Sequence, residues 1–151
     1  MNARDNGSWT PLHCAAQNQH FHVCEILINS SALVNVFSDS LLSPLSLVIF
    51  RLDPVSNQKD EIFQILELML DNGADISCKN AQLETPLHFA AFKGRIDIVE
   101  FLILNGANRH SLNAYGETVL HYASRGGSLE VIKYLIDHNV NVEQIGSNGS
   151  C

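Results

Sequence analysis

The side chains of this chain best suited to move protons, attack a carbonyl or hold a metal ion are three spaced histidines and four cysteines. They are His13, His88 and His121, and Cys14, Cys24, Cys78 and Cys151. Acid–base catalysis would require a histidine to face a nucleophile in one cleft. The spacing argues otherwise, because each histidine stands at the same place of a repeated heptapeptide and the three are spread along the chain. A zinc site is the second possibility, since His20, His22 and Cys24 lie near His13 and Cys14, and His20 and Cys24 would share a helical face. Cys24, however, occupies the place filled elsewhere by Leu66, Val99 and Ile132, which predicts a core position, and no Cys-x-x-Cys pair supplies further ligands. The chain has no phosphate-cradling glycine loop, nucleophile elbow or His-Glu-x-x-His helix. The expectation is therefore no catalytic residue, no cofactor and no metal.

The heptapeptide itself is the stronger signal. Thr10-Pro11-Leu12-His13-Cys14-Ala15-Ala16 returns as Thr85-Pro86-Leu87-His88-Phe89-Ala90-Ala91, as Thr118-Val119-Leu120-His121-Tyr122-Ala123-Ser124 and, most altered, as Ser43-Pro44-Leu45-Ser46-Leu47-Val48-Ile49. The steps are 33, 42 and 33 residues, a period of 33 with nine extra residues in the second unit, near 53–61. This divides the chain into repeats at about 10–42, 43–84, 85–117 and 118–150 within one domain, 1–151.

Two helices are predicted in each repeat. A hydroxyl followed by proline opens the first, the hydroxyl capping free amides and the proline losing no hydrogen bond at the first helical position. The second is amphipathic: Val23, Cys24, Leu27 and Ile28 recur as Ile65, Leu66, Met69 and Leu70, then Ile98, Val99, Leu102 and Ile103, then Val131, Ile132, Leu135 and Ile136. Gly73, Gly106 and Asn139 end these helices with residues that tolerate a left-handed backbone. The polar stretch that follows, such as 106–117, is expected to be an extended turn or finger. In the second unit the extra residues around Asp53 to Lys59 are expected to form a loop between its two helices, projecting away from the finger tips, with Pro54 stopping the first helix.

Composition narrows the class of partner. The chain is 46% hydrophobic and 17% charged, too apolar for disorder, and no apolar stretch approaches the ~20 residues that span a bilayer. A net charge of −7 repels phosphate backbones, so nucleic acid is not an expected partner, nor is direct membrane insertion. Unpatterned cysteines and a polar first ten residues point to free thiols in a reducing compartment, the cytoplasm or also the nucleus.

Two helices and a finger in 33 residues, carrying Thr-Pro-Leu-His-x-Ala-Ala, resemble the ankyrin repeat. Asn2-Ala3-Arg4-Asp5, Gly73-Ala74-Asp75 and Gly106-Ala107-Asn108 are similar to that family's finger, and Gly94 and Gly127 to its turn between helices. The second unit departs most, with Ser46 in place of the histidine and Ser31 in place of the preceding glycine. The resemblance implies an all-α ankyrin-repeat solenoid, four helix-turn-helix repeats with projecting finger turns and a curved groove. It also implies structural histidines whose rings bridge backbone groups of neighbouring fingers.

In that family the variable positions lie just before Thr-Pro and just after Ala-Ala. Carried onto this sequence, the implied partner-binding residues are Trp9, Gln17 and Asn18; Leu42, Phe50 and Arg51; Glu84, Phe92 and Lys93; and Tyr115, Glu117 and Arg125, with Asn6, Gly7, Asp39, Ser40, Ala81, Gln82, Ala114 and Gly126 at the remaining variable places. Aromatics beside arginine are the usual material of a binding hot spot. The expected function is a protein–protein interaction module that holds a protein or peptide in the concave groove without catalysis. The alternative is a regulatory or substrate-recruiting segment of a larger enzyme, channel or receptor. The chain is expected to be monomeric, with weak self-association through uncapped ends. Asn35 resembles the finger asparagine that asparaginyl hydroxylases modify: Leu27 stands eight residues before it, although Leu33 replaces the usual acidic residue.

Overall fold

A computed structural model describes residues 2–52 and 59–138, with only the backbone of Lys59. The predicted helix starts are where the hydroxyls stand. Thr10, Ser43 and Thr118 each accept a hydrogen bond from the backbone amide three residues on, opening α1 (Pro11–Gln17), α3 (Pro44–Phe50) and α7 (Val119–Gly126). Thr85 precedes α5 (Pro86–Lys93) in the same extended conformation. The amphipathic stretches form α2 (Phe21–Asn29), α6 (Ile96–Leu104) and α8 (Leu129–Asp137), each of nine residues, and α4 (Lys59–Asp71), of thirteen. All eight elements among the described residues are helices.

α4 corrects one end of the loop expected from Asp53 to Lys59, because the helix already begins at Lys59. Residues 59–61 belong to the helix, where Asp60 and Glu61 complement the positive end of the helix dipole in its first turn. The remainder of the expected loop, 53–58, lies outside the described residues, as do Asn139, Cys151 and the end of the fourth repeat.

The chain divides into two compact units, Met1–Cys78 and Lys79–Cys151, each holding two helix pairs. In the first unit α1 packs on α3 and α2 on α4; in the second α5 packs on α7 and α6 on α8. Buried alanines, Ala15 and Ala16 in one unit and Ala90, Ala91 and Ala123 in the other, let the first helices approach closely, while Leu45, Ile65, Leu66 and Met69, or Leu87, Ile98, Leu102 and Leu135, fill the space beneath. Val23 departs from the predicted apolar face: it is exposed, although its counterparts Ile65 and Val131 are buried.

Each finger is a tight hairpin built by one rule. The amides of Ser8, Leu41, Leu83 and Gly116 bond to the carbonyls of Asp5, Ser38, Asn80 and Asn113, and the amides of these four bond to the carbonyls of Trp9, Leu42, Glu84 and Glu117. Carboxylate or amide oxygens of Asp5, Asn80 and Asn113 accept the amides two and four residues on, so the polar first residue fixes the turn. The geometry requires a left-handed residue at the turn's end. Gly116 meets it with φ +73°, but Ser8, Leu41 and Leu83 adopt the same conformation at φ +61°, +59° and +60°. A left-handed leucine costs about 1–2 kcal/mol. Leu41 and Leu83 remain 48% and 44% exposed, so their partial burial returns only about 1 kcal/mol.

Candidate functional site

The histidines are committed to the frame. The backbone amides of Thr10, Thr85 and Thr118 each donate to the Nδ1 of the histidine three residues on, at 3.0 Å in every case. Nδ1 is therefore an acceptor and the proton sits on Nε2, which in His13 donates to the Leu42 carbonyl of the next finger at 3.0 Å. Burial disfavours the charged rings. It lowers the pKa of His13 and takes that of His88 down to about 4, against a smaller opposing pull from Glu84. A base whose acceptor nitrogen already closes a helix cap is not available to a substrate.

The thiols follow the same pattern. Cys14 is exposed, whereas burial raises the Cys24 thiol to about 11 and also pushes up that of Cys78. Cys78 explains how the second repeat folds without its histidine: its Sγ lies 3.1 Å from Ser43 Oγ and 3.2 Å from Ser46 Oγ, filling the place of the missing ring with a small polar cluster. Among the described residues no three His, Cys, Asp or Glu side chains converge on a common point, and no helix is long and apolar enough to cross a membrane.

In the first unit the candidate binding residues sit on the finger ends and on the last turns of α1 and α3. Trp9 departs from the expected exposed position, being half-buried with its ring 5.7 Å from that of His13. Gln17 and Arg51 meet: with its amide oxygen turned to the guanidinium, Gln17 accepts from Nε at 3.2 Å. Asn18 closes α1 by donating to the Cys14 carbonyl. Leu42 is half-buried, while Phe50 is 43% exposed.

The second unit carries a polar network that the sequence did not announce. Glu84 is half-buried, its two oxygens taking hydrogen bonds from Asn80 Nδ2 at 3.0 Å and from the Tyr122 hydroxyl at 2.6 Å. Glu117 corrects the expectation outright. It is only 3% exposed, held by Asn113 Nδ2 at 3.1 Å and ion-paired with Arg125, whose guanidinium lies 5.4 Å over the Tyr122 ring. A carboxylate so deep keeps its charge only because an arginine and an amide accompany it. Gly126 also differs from a freely variable position. A Cβ there would stand 2.2 Å from the Phe92 carbonyl oxygen, so the glycine lets α7 lie against α5. Phe92 and Tyr115 do reach the surface, 47% and 51% exposed, and Lys93 ends α5 beside Phe92.

Asn35 has a structural task as well. Its side chain is exposed, yet Nδ2 donates to the Gly73 carbonyl and Oδ1 accepts from the Asp75 amide, each at 2.8 Å, tying one finger to the next. Asn2 does part of the same work one repeat earlier, accepting from the Leu33 amide at 3.1 Å.

Compared with known protein families, residues 55–145 match Ankyrin repeats (3 copies) and residues 8–39 match Ankyrin repeat. No curated protein matches the chain.

Proposed function

Because the chain belongs to the ankyrin-repeat family, whose members generally serve as protein–protein interaction modules, we propose that it binds a protein or peptide through its fingers and the ends of its first helices, without catalysis. The observation that carries this reading is the exposure of Phe92 and Tyr115, which stand at variable places of the repeat. Apolar rings held in water on a rigid frame gain most when a partner covers them. A partner with apolar side chains suits these rings, while the net charge of −7 slows the approach of a strongly acidic protein. Glu117 serves this surface indirectly, by positioning Arg125.

Free thiols at Cys14, Cys24 and Cys78 support placing the chain in the cytoplasm or nucleus. Asn35, exposed on its finger, is the residue at which an asparaginyl hydroxylase would act, and intact-mass measurement after incubation with such an enzyme tests that assignment. For the main reading the experiment is affinity capture from a cytosolic extract with the chain and with its Phe92→Ala/Tyr115→Ala variant. Proteins retained by the first and lost by the second are the expected result; identical captured sets would refute it.

A further inference from the structure

Asparagine followed by glycine is a step at which a chain can modify itself, because glycine has no Cβ to keep its backbone nitrogen away from the asparagine side chain. The described residues hold three such steps, Asn6-Gly7, Asn72-Gly73 and Asn105-Gly106; a fourth, Asn148-Gly149, lies outside them. Two of the three share even the residue before, in Asp5-Asn6-Gly7 and Asp71-Asn72-Gly73, so the fold and not the local sequence must rank them. Asn72 and Asn105 follow α4 and α6 and are tethered there. Their Nδ2 groups donate back to the carbonyls of Leu68 and Phe101 at 2.8 and 2.7 Å, which turns each side chain along its helix, and the amides of Gly73 and Gly106 donate to the carbonyls of Leu70 and Ile103. Asn6 has no such tether. It is exposed at the tip of the first finger, its side chain makes no hydrogen bond among the described residues, and the Gly7 amide donates to a carboxylate, Asp5 Oδ1, at 2.9 Å.

We propose that Asn6 is a site of spontaneous deamidation in the folded chain, with Asp5 as the proton acceptor. The Gly7 nitrogen attacks Asn6 Cγ while its proton passes to the Asp5 carboxylate, which stands within hydrogen-bond reach. The carboxylate returns that proton to the departing side-chain nitrogen, ammonia leaves, and a five-membered succinimide closes. Water then opens the ring at either carbonyl, leaving aspartate or isoaspartate at position 6. Either product adds a negative charge near Asp5 and near Asp39, whose carboxylate already accepts the Ser8 hydroxyl at 2.6 Å. Isoaspartate also adds a carbon to the main chain inside the turn that the Ser8 amide closes on the Asp5 carbonyl. The same turn presents the Gly7 carbonyl to the Asp39 amide of the second finger at 3.0 Å, so the modification loosens the join between these two fingers.

The test is peptide mapping by mass spectrometry after the whole chain has stood at neutral pH and physiological temperature, since each conversion adds about one dalton and chromatography separates aspartate from isoaspartate. In the folded chain Asn6 should convert roughly tenfold faster than Asn72 or Asn105, because its side chain and the neighbouring amide are free to meet and a base adjoins them. In concentrated urea the two Asp-Asn-Gly steps should convert at equal rates. Asp5→Asn removes the base and keeps the turn, because Asn80 and Asn113 make the same contacts in their fingers through amide oxygens, and conversion of Asn6 should slow severalfold in that variant. Folded-state conversion at Asn72 or Asn105 as fast as at Asn6 would overturn the site, and an Asn6 rate unaltered by Asp5→Asn would overturn the part given to the carboxylate. Thermal midpoints of aged samples read the consequence. The parent chain should lose stability on standing and Asn6→Gln should not; equal losses in both would show that the first finger is not where ageing acts.

Discussion

His88 shows how one side chain ties the fold to pH. Its ring is held near pKa 4 in the folded chain against an ordinary value of 6.5, so between these values the unfolded chain binds more protons than the folded one. The stability it contributes is whole above pH 6.5 and is lost as pH falls toward 4, about 3 kcal/mol at full extent. The lowered pKa of His13 acts in the same direction. Urea midpoints measured from pH 7 to pH 5 should fall less steeply in His88→Gln than in the parent chain; equal slopes would show that this ring is not what titrates. Asn35 makes a smaller claim. Its two inter-finger hydrogen bonds are at the surface, so Asn35→Ala should cost about 1 kcal/mol, read as a lowered urea midpoint. No loss would mean that water replaces both bonds.

At the scale of the helix and the finger, what the sequence made legible was local. A hydroxyl before proline and an apolar period of 3.6 act within one turn or one helix; α1, α3 and α5 begin at the hydroxyl–proline pairs, and α7 at the Thr118 hydroxyl alone. What escaped depends on neighbours distant in the chain. Trp9, Leu42, Glu84 and Glu117 share one repeat position, but Glu117 alone is buried: Asn80 holds Glu84 as Asn113 holds Glu117, and what Glu117 has in addition is its ion pair with Arg125, at a place where Glu84's own repeat carries Phe92. Only the close approach of α5 reveals that Gly126 is not a free surface position. Gly126→Ala should therefore destabilise the chain by about 1–3 kcal/mol, the range for forcing atoms into a packed contact, and calorimetry would register a lower thermal midpoint. An unchanged midpoint would mean that the end of α7 moves aside freely. The second repeat's cluster of Ser43, Ser46 and Cys78 was equally illegible, since a missing histidine in a heptapeptide does not say what fills its place.

Across the whole molecule the division of labour is between a frame that consumes its own polar chemistry and a surface that leaves aromatic rings in water. His13, His88 and His121, Asn80 and Asn113, and two buried thiols are engaged in holding helix caps, turns or the core, and the family to which the chain belongs uses such frames to display side chains to other proteins. The candidate residues divide by structure rather than by repeat position: Phe92 and Tyr115 reach outward, while Trp9 and Glu117 serve the frame in part or entirely. Specificity then resides in few side chains. The central claim is that these outward rings contribute to binding and not to folding. Isothermal titration of a captured partner into the parent chain and into Phe92→Ala, with thermal midpoints taken on the same samples, tests it directly. The account predicts a loss of roughly 1–4 kcal/mol in binding with little change in midpoint. A collapsed midpoint with affinity per folded molecule unchanged would contradict it.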